Sequence, residues 1–145
     1  MNVKIKEILS KYKTIAMIGV SKDQTKASTI VMKYMQKYGF KVIPVNPSAK
    51  GEKILGEEVF EKIEDIKSPI DIVDVFRPSI EVLKYAESSI KIGAKVLWLQ
   101  LGIKNQTAKK LVESNNIKYI ENRCTKMEYQ KVFLKINPAF PVLQD

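Results

Sequence analysis

Apolar and polar positions follow two different periods along this chain, and the switches between them mark the elements. Short runs dominated by apolar residues stand at 14–20 (TIAMIGV), 41–47 (KVIPVNP), 70–76 (IDIVDVF), 94–102 (AKVLWLQLG) and 117–121 (IKYIE), and each predicts a strand. The fourth run is almost continuously apolar, as a strand covered on both faces is. Between the runs the spacing becomes helical. Ile30, Val31, Tyr34, Met35 and Tyr38 fall at i, i+1, i+4, i+5 and i+8, predicting a helix over 28–38 with Gly39 just past its end. PSIEVLKYAESSIKIG (78–93) predicts a second helix ending at Gly93, and Asn105 or Thr107 can cap a third that reaches about Asn116. A short amphipathic helix over 3–12, with Val3, Ile5, Ile8 and Leu9 among lysines, precedes the first strand. TKMEYQKVFLKI predicts a last helix before a Pro-containing tail. Residues 48–66 read as a long connection with a short helical piece, and Pro44 implies a bulge or an unpaired position in the second strand.

Strands alternating with helices five times predict an α/β fold: a Rossmann-like, doubly wound, parallel five-stranded sheet covered on both faces. With no internal repeat and no low-complexity linker, the 145 residues suit a single domain over 1–145. Ligands of such sheets sit beyond the carboxyl ends of the strands, where strand order reverses. Those ends are residues 19–22, 45–47, 76–78 and 100–102.

Composition narrows the chemistry. The chain contains no histidine, which removes the commonest general base, the Ser-His and Cys-His dyads and most zinc sites. The net charge of +9 comes almost wholly from lysine, with Arg77 and Arg123 the two arginines, and the lysines are scattered. That is a solvated basic surface, not the arginine-rich face of a nucleic-acid reader, although it favours an anionic ligand. A single cysteine, Cys124, excludes an internal disulfide and fits a reducing compartment. The lysine-interrupted N-terminus lacks a signal-peptide core, and no run of about 18 apolar residues predicts a membrane span. A cytoplasmic location is expected.

The strand ends carry the candidate chemistry. A dinucleotide fingerprint, G-x-G-x-x-G, would place glycines at 19, 21 and 24, where this chain has Gly19, Ser21 and Gln24. The turn still leads into a helix N-terminus, which offers N–H groups and partial positive charge to an anion. Ser21, Thr25, Ser28 and Thr29 add hydroxyls, and Lys22 and Lys26 add charge, making a diphosphate cradle looser than that for NAD. After the second strand, where NAD enzymes place an acidic residue, stand Asn46, Pro47 and Ser48, then Lys50 and Lys53. That suits a ribose carrying a phosphate, as in NADP or coenzyme A (CoA). At the third strand end Arg77 is either an anion contact or the partner of Asp71, Asp74 or Glu81, and Phe76 either lies against an adenine or fills the core. Trp98 reads as core, whereas Gln100 and Gly102 share the ligand edge. Cys124 is either a thiol made acidic by a helix start or an inert buried one.

As an ordered set, GVSKDQTKAST, VIPVNP, DIVDVFRP, VLWLQLGI and NRC resemble the CoA-binding domain proteins, small bacterial and archaeal proteins similar to the CoA-binding domain of the succinyl-CoA synthetase alpha subunit. The resemblance covers roughly residues 10–135. It implies that Gly19, Val20, Ser21 and residues 26–28 hold the diphosphate. It further implies that Asn46, Pro47 and Lys50 lie near the adenosine and its 3′-phosphate, that Phe76, Arg77 and Pro78 line the adenine or pantetheine side, and that residues 100–102 form the far edge. Two departures stand out: Lys26-Ala27 where relatives often have Arg-Pro, and Glu128-Tyr129 where they tend to have Glu-His. The expected function is binding of CoA or an acyl-CoA, with no catalytic residues and no metal. An NADP-dependent reductase and a CoA-sensing interaction module are the alternatives. The expected partner is a small nucleotide ligand, neither nucleic acid nor membrane, and a homodimer or an unknown protein partner is left open.

Overall fold

The computed structural model describes residues 4–138, so Val3 of the first predicted helix and the tail beyond Pro138 lie outside the described residues. The five apolar runs each form a strand shorter than its run: β1 (Thr14–Ile18), β2 (Lys41–Val45), β5 (Ile72–Val75), β6 (Val96–Leu99) and β7 (Lys118–Ile120). They pair in the order β2-β1-β5-β6-β7, and every pair is parallel. The fold is the Rossmann-like α/β sheet the alternation predicts. Strand order reverses between β1 and β5, so the crevice of this sheet opens at Gly19 and Phe76.

Two apolar layers hold the sheet. One is built on Val31, Met32 and Met35 of α2 (Ala27–Lys37), Ile8 and Leu9 of α1 (Ile5–Lys11), and the fully buried Trp98. α5 (Thr125–Tyr129) closes this side, followed by a π-helical turn over Gln130–Leu134. The other layer packs Val82 and Ala86 of α3 (Val82–Ile92) and Ala108 and Val112 of α4 (Gln106–Glu113) against Ile18, Val73, Leu97 and Leu99. Because the sheet is buried on both sides, its strands need apolar residues at consecutive positions. Asn105 caps α4, its Oδ1 accepting from the Ala108 N–H at 2.9 Å.

Two local expectations are sharpened, and of the two alternatives for Pro44 the unpaired position, at its nitrogen, stands. Pro44 makes no bulge: it pairs in register with Met17 on the edge strand β2, and its carbonyl faces outward to accept from the Phe60 N–H at 3.1 Å. A proline is tolerated there because the side without an N–H faces away from the sheet. The long connection after β2 has its short helical pieces and, in addition, a hairpin. It contains the hairpin β3 (Lys53–Ile54) and β4 (Glu57–Glu58) between two single 3₁₀ turns at Pro47–Ala49 and Ile63–Asp65.

Candidate functional site

The turn after β1 is fixed by what it touches. Gly19 has φ +90°, and a Cβ there would stand 2.5 Å from the Phe76 carbonyl oxygen and 3.0 Å from Arg77 Cδ. Only glycine lets the first turn lie against the end of β5. The Gly19 N–H donates to the Val45 carbonyl at 2.8 Å, and the Phe76 N–H to the Ile18 carbonyl at 2.8 Å, so three strand ends are tied at one point.

Beyond Gly19 the chain loops back onto α2. The Ser21 N–H donates to Ser28 Oγ at 3.1 Å, and Thr29 Oγ1 donates to the Ser21 carbonyl at 2.6 Å. Asp23 closes the loop tip by accepting from the Thr25 N–H and hydroxyl at 2.9 and 2.7 Å, which holds its carboxyl below the usual range. The N–H groups of Ala27, Ser28 and Thr29 open α2 and take no carbonyl partner among the described residues. Lys26 precedes them in extended conformation, and its side chain makes no cap.

The second strand end joins this loop directly. Asn46 Nδ2 donates to the Val20 carbonyl at 2.8 Å, while its Oδ1 accepts from the Ser48 N–H and hydroxyl. Asn46 therefore fixes the two turns to each other. The lysines near them are exposed and paired, Lys22 with Glu52 at 3.3 Å and Lys50 with Glu61 at 3.2 Å. Exposed pairs of this kind contribute about 0–1 kcal/mol, so Glu52 and Glu61 hold the two lysines only weakly.

On the other side of Gly19, a cavity of about 240 Å³ opens beyond β5 and β6, lined by Ala27, Phe76, Arg77, Pro78, Gln100, Leu101, Ile103 and Cys124. Of the partners expected for Arg77, the structure chooses Glu81: Nε and Nη2 donate to its two oxygens at 3.1 and 2.8 Å. Phe76 packs half-buried against the core. Trp98 is core, its Nε1 donating to the Arg123 carbonyl at 2.7 Å. Gly102 borders the far edge, where its N–H donates to Asn122 Oδ1 at 2.7 Å. Cys124 is buried, and burial pushes its thiol up from the ordinary value, so the acidic-thiol alternative fails. A wider, shallow cleft between α1 and α5 includes Lys4, Arg123 and Lys131 but none of the β1, β5 or β6 ends.

Asp74, a candidate partner of Arg77 in the sequence, has a different place in the structure. In the middle of β5, it is fully buried, and its carboxyl accepts from two neutral groups, Gln100 Nε2 at 2.6 Å and the Thr125 hydroxyl at 3.3 Å. Burial raises its pKa to about 7 against the lowering effect of those two bonds. Gln100, expected at the ligand edge, lines the cavity with its amide nitrogen turned inward to Asp74. The available signal was an acidic residue inside an otherwise apolar run.

The family profile described as CoA binding domain matches residues 13–130. The chain belongs to the CoA-binding domain family. Among relatives, this CoA-binding domain is 36% identical to the uncharacterized protein YneT of Bacillus subtilis over 86% of its own length and 91% of YneT. It is 32% identical over 83 residues to the ADP-forming acetate–CoA ligase of Methanocaldococcus jannaschii, covering 57% of this chain but 12% of the ligase. The solved structure of cell-free ID.343 from Thermus thermophilus superposes with a TM-score of 0.86 at 33% identity, covering 90% of this chain and all of that one. A hypothetical protein from Pyrococcus horikoshii gives 0.84 at 36% identity, over 88% and 89% of the two chains. No helix among the described residues is long and apolar enough to cross a membrane.

Proposed function

We propose that this domain binds CoA or an acyl-CoA across the β1–β5 crevice, as a cytoplasmic binding protein without catalysis of its own. The observation that carries the reading is the opening of α2 beside the loop 19–29, where unpaired N–H groups and two hydroxyl-held turns face the point at which strand order reverses. The diphosphate lies there, against Gly19, Val20, Ser21 and the N–H groups of residues 27–29, with Lys26 and Ser28 beside it. The adenosine and its 3′-phosphate turn toward Asn46, Pro47 and Lys50, with Lys22 exchanging Glu52 for phosphate. The pantetheine arm passes over Gly19 toward Phe76, Arg77, Pro78, Gln100 and Gly102. The family match and the likeness to part of a CoA ligase support CoA over NADP as the phosphorylated-ribose nucleotide.

Calorimetric titration tests this with CoA, dephospho-CoA, NADPH and NADH. Saturable CoA binding that weakens with salt, falls without the 3′-phosphate and is absent for NADH is the expected result. Equal affinity for CoA and dephospho-CoA refutes the lysine assignment, and binding of NADPH alone moves the domain into the reductase class.

A further inference from the structure

The nucleotide occupies the α2 opening and the β2 end, and leaves the character of the cavity beyond β5 and β6 to be explained. Ala27 is both the first residue of α2 and part of the cavity wall, so the cavity begins where the diphosphate site ends. Phe76, Pro78, Leu101 and Ile103 make it apolar. Its one charged lining residue, Arg77, is held by both oxygens of Glu81. The Gln100 amide nitrogen is committed to Asp74, and the Cys124 thiol, 2% exposed, is kept neutral by burial. The β2 side of the crevice carries lysine–glutamate pairs instead. The two ends of one ligand therefore meet different environments: a rim of exposed lysine–glutamate pairs and an open, mainly apolar pocket whose one cation is paired.

Size sets what the pocket takes. At roughly 30 Å³ per small heavy-atom group, the space a water molecule fills in the liquid, the 240 Å³ cavity holds about eight such groups. The cysteamine end of CoA uses four of them. Counting the carbonyl oxygen, the remaining four groups match an acyl chain of two or three carbons, and we propose that the cavity is an acyl pocket selecting thioesters of CoA with such short, saturated, uncharged acyl groups. This rests on the CoA reading above. Longer chains leave the pocket past Leu101, which is 40% exposed, and bury little more. A terminal carboxylate meets an apolar lining whose one cation, Arg77, already makes two hydrogen bonds to the Glu81 carboxylate.

Titration of the wild-type protein with CoA and with acetyl-, propionyl-, butyryl-, hexanoyl-, octanoyl- and succinyl-CoA tests the pocket. Affinity should rise by about threefold to fourfold per buried methylene as far as propionyl and then level off. Succinyl-CoA should bind more weakly than butyryl-CoA. Ile103→Ala removes three carbons from the wall and should move the plateau to hexanoyl-CoA, with its affinity for CoA as the internal reference. Equal affinity for CoA and every acyl-CoA overturns the acyl pocket while leaving the CoA reading standing, as does tighter binding of succinyl-CoA. No binding of any of them, CoA included, overturns the CoA reading itself.

Discussion

Asp74→Asn should make this protein more stable at pH 8, although it alters a fully buried hydrogen-bonded residue. In the folded protein the Asp74 carboxyl keeps its proton up to about pH 7, because burial disfavours its charged form more than the bonds from neutral Gln100 and Thr125 favour it. In the unfolded chain it ionises near 3.8. The folded value is the raised one, so the proton's contribution to stability is complete below about pH 4 and is lost progressively as pH rises toward 7. The difference between the two values corresponds to roughly 4 kcal/mol in all, and more than half of it falls between pH 5 and pH 8. Asparagine has the same shape, accepts from Gln100 Nε2 with its oxygen, and donates to the Thr125 hydroxyl with its nitrogen. It cannot ionise, so the variant escapes this loss. Urea unfolding followed by fluorescence of Trp98, the one tryptophan and fully buried, measures both proteins at pH 5 and pH 8. Taking the difference between variant and wild type at each pH cancels every other carboxylate. A difference that does not change between pH 5 and pH 8 would falsify the assignment, since Asp74 would then hold one charge state across the range.

Two further substitutions test the crevice. Gly19→Ala places a methyl group 2.5 Å from the Phe76 carbonyl at a φ of +90°, and should destabilise the fold by about 2 kcal/mol or more while abolishing CoA binding; thermal unfolding and titration read the two effects. Ser28→Ala strands the Ser21 N–H and should cost about 1 kcal/mol in stability, with weaker CoA binding as the loop loosens; an unchanged affinity would place the diphosphate elsewhere.

The strands, the helices on both faces and the crevice at Gly19 were legible because each rests on a local signal: a buried run, a 3.6-residue period, a glycine after a strand. Asn105 as a cap and Trp98 as core followed from residue chemistry. The β3–β4 hairpin was hidden because its turn uses Leu55 at φ 49° followed by Gly56 at φ 84°. Asparagine or aspartate usually takes the first of two such positions, and leucine there gives no warning. The Asp74–Gln100–Thr125 cluster was invisible for another reason: its members lie 26, 25 and 51 residues apart and meet only once β5, β6 and α5 are in place. Arg77 had several acidic candidates nearby in sequence, and only the 3₁₀ turn Ser79–Glu81 brings Glu81 under its guanidinium.

The outward face of Pro44 bears on how copies of this protein can meet. A sheet edge ordinarily offers a row of free amides and carbonyls on which a foreign strand can grow. Here the β2 edge lacks an amide at Pro44, and its carbonyl is already engaged by Phe60, which also bridges Val45. The opposite edge, β7, is three residues long and begins with an exposed lysine. Neither edge offers a long run of free backbone groups, so edge-to-edge growth of the sheet is disfavoured at both.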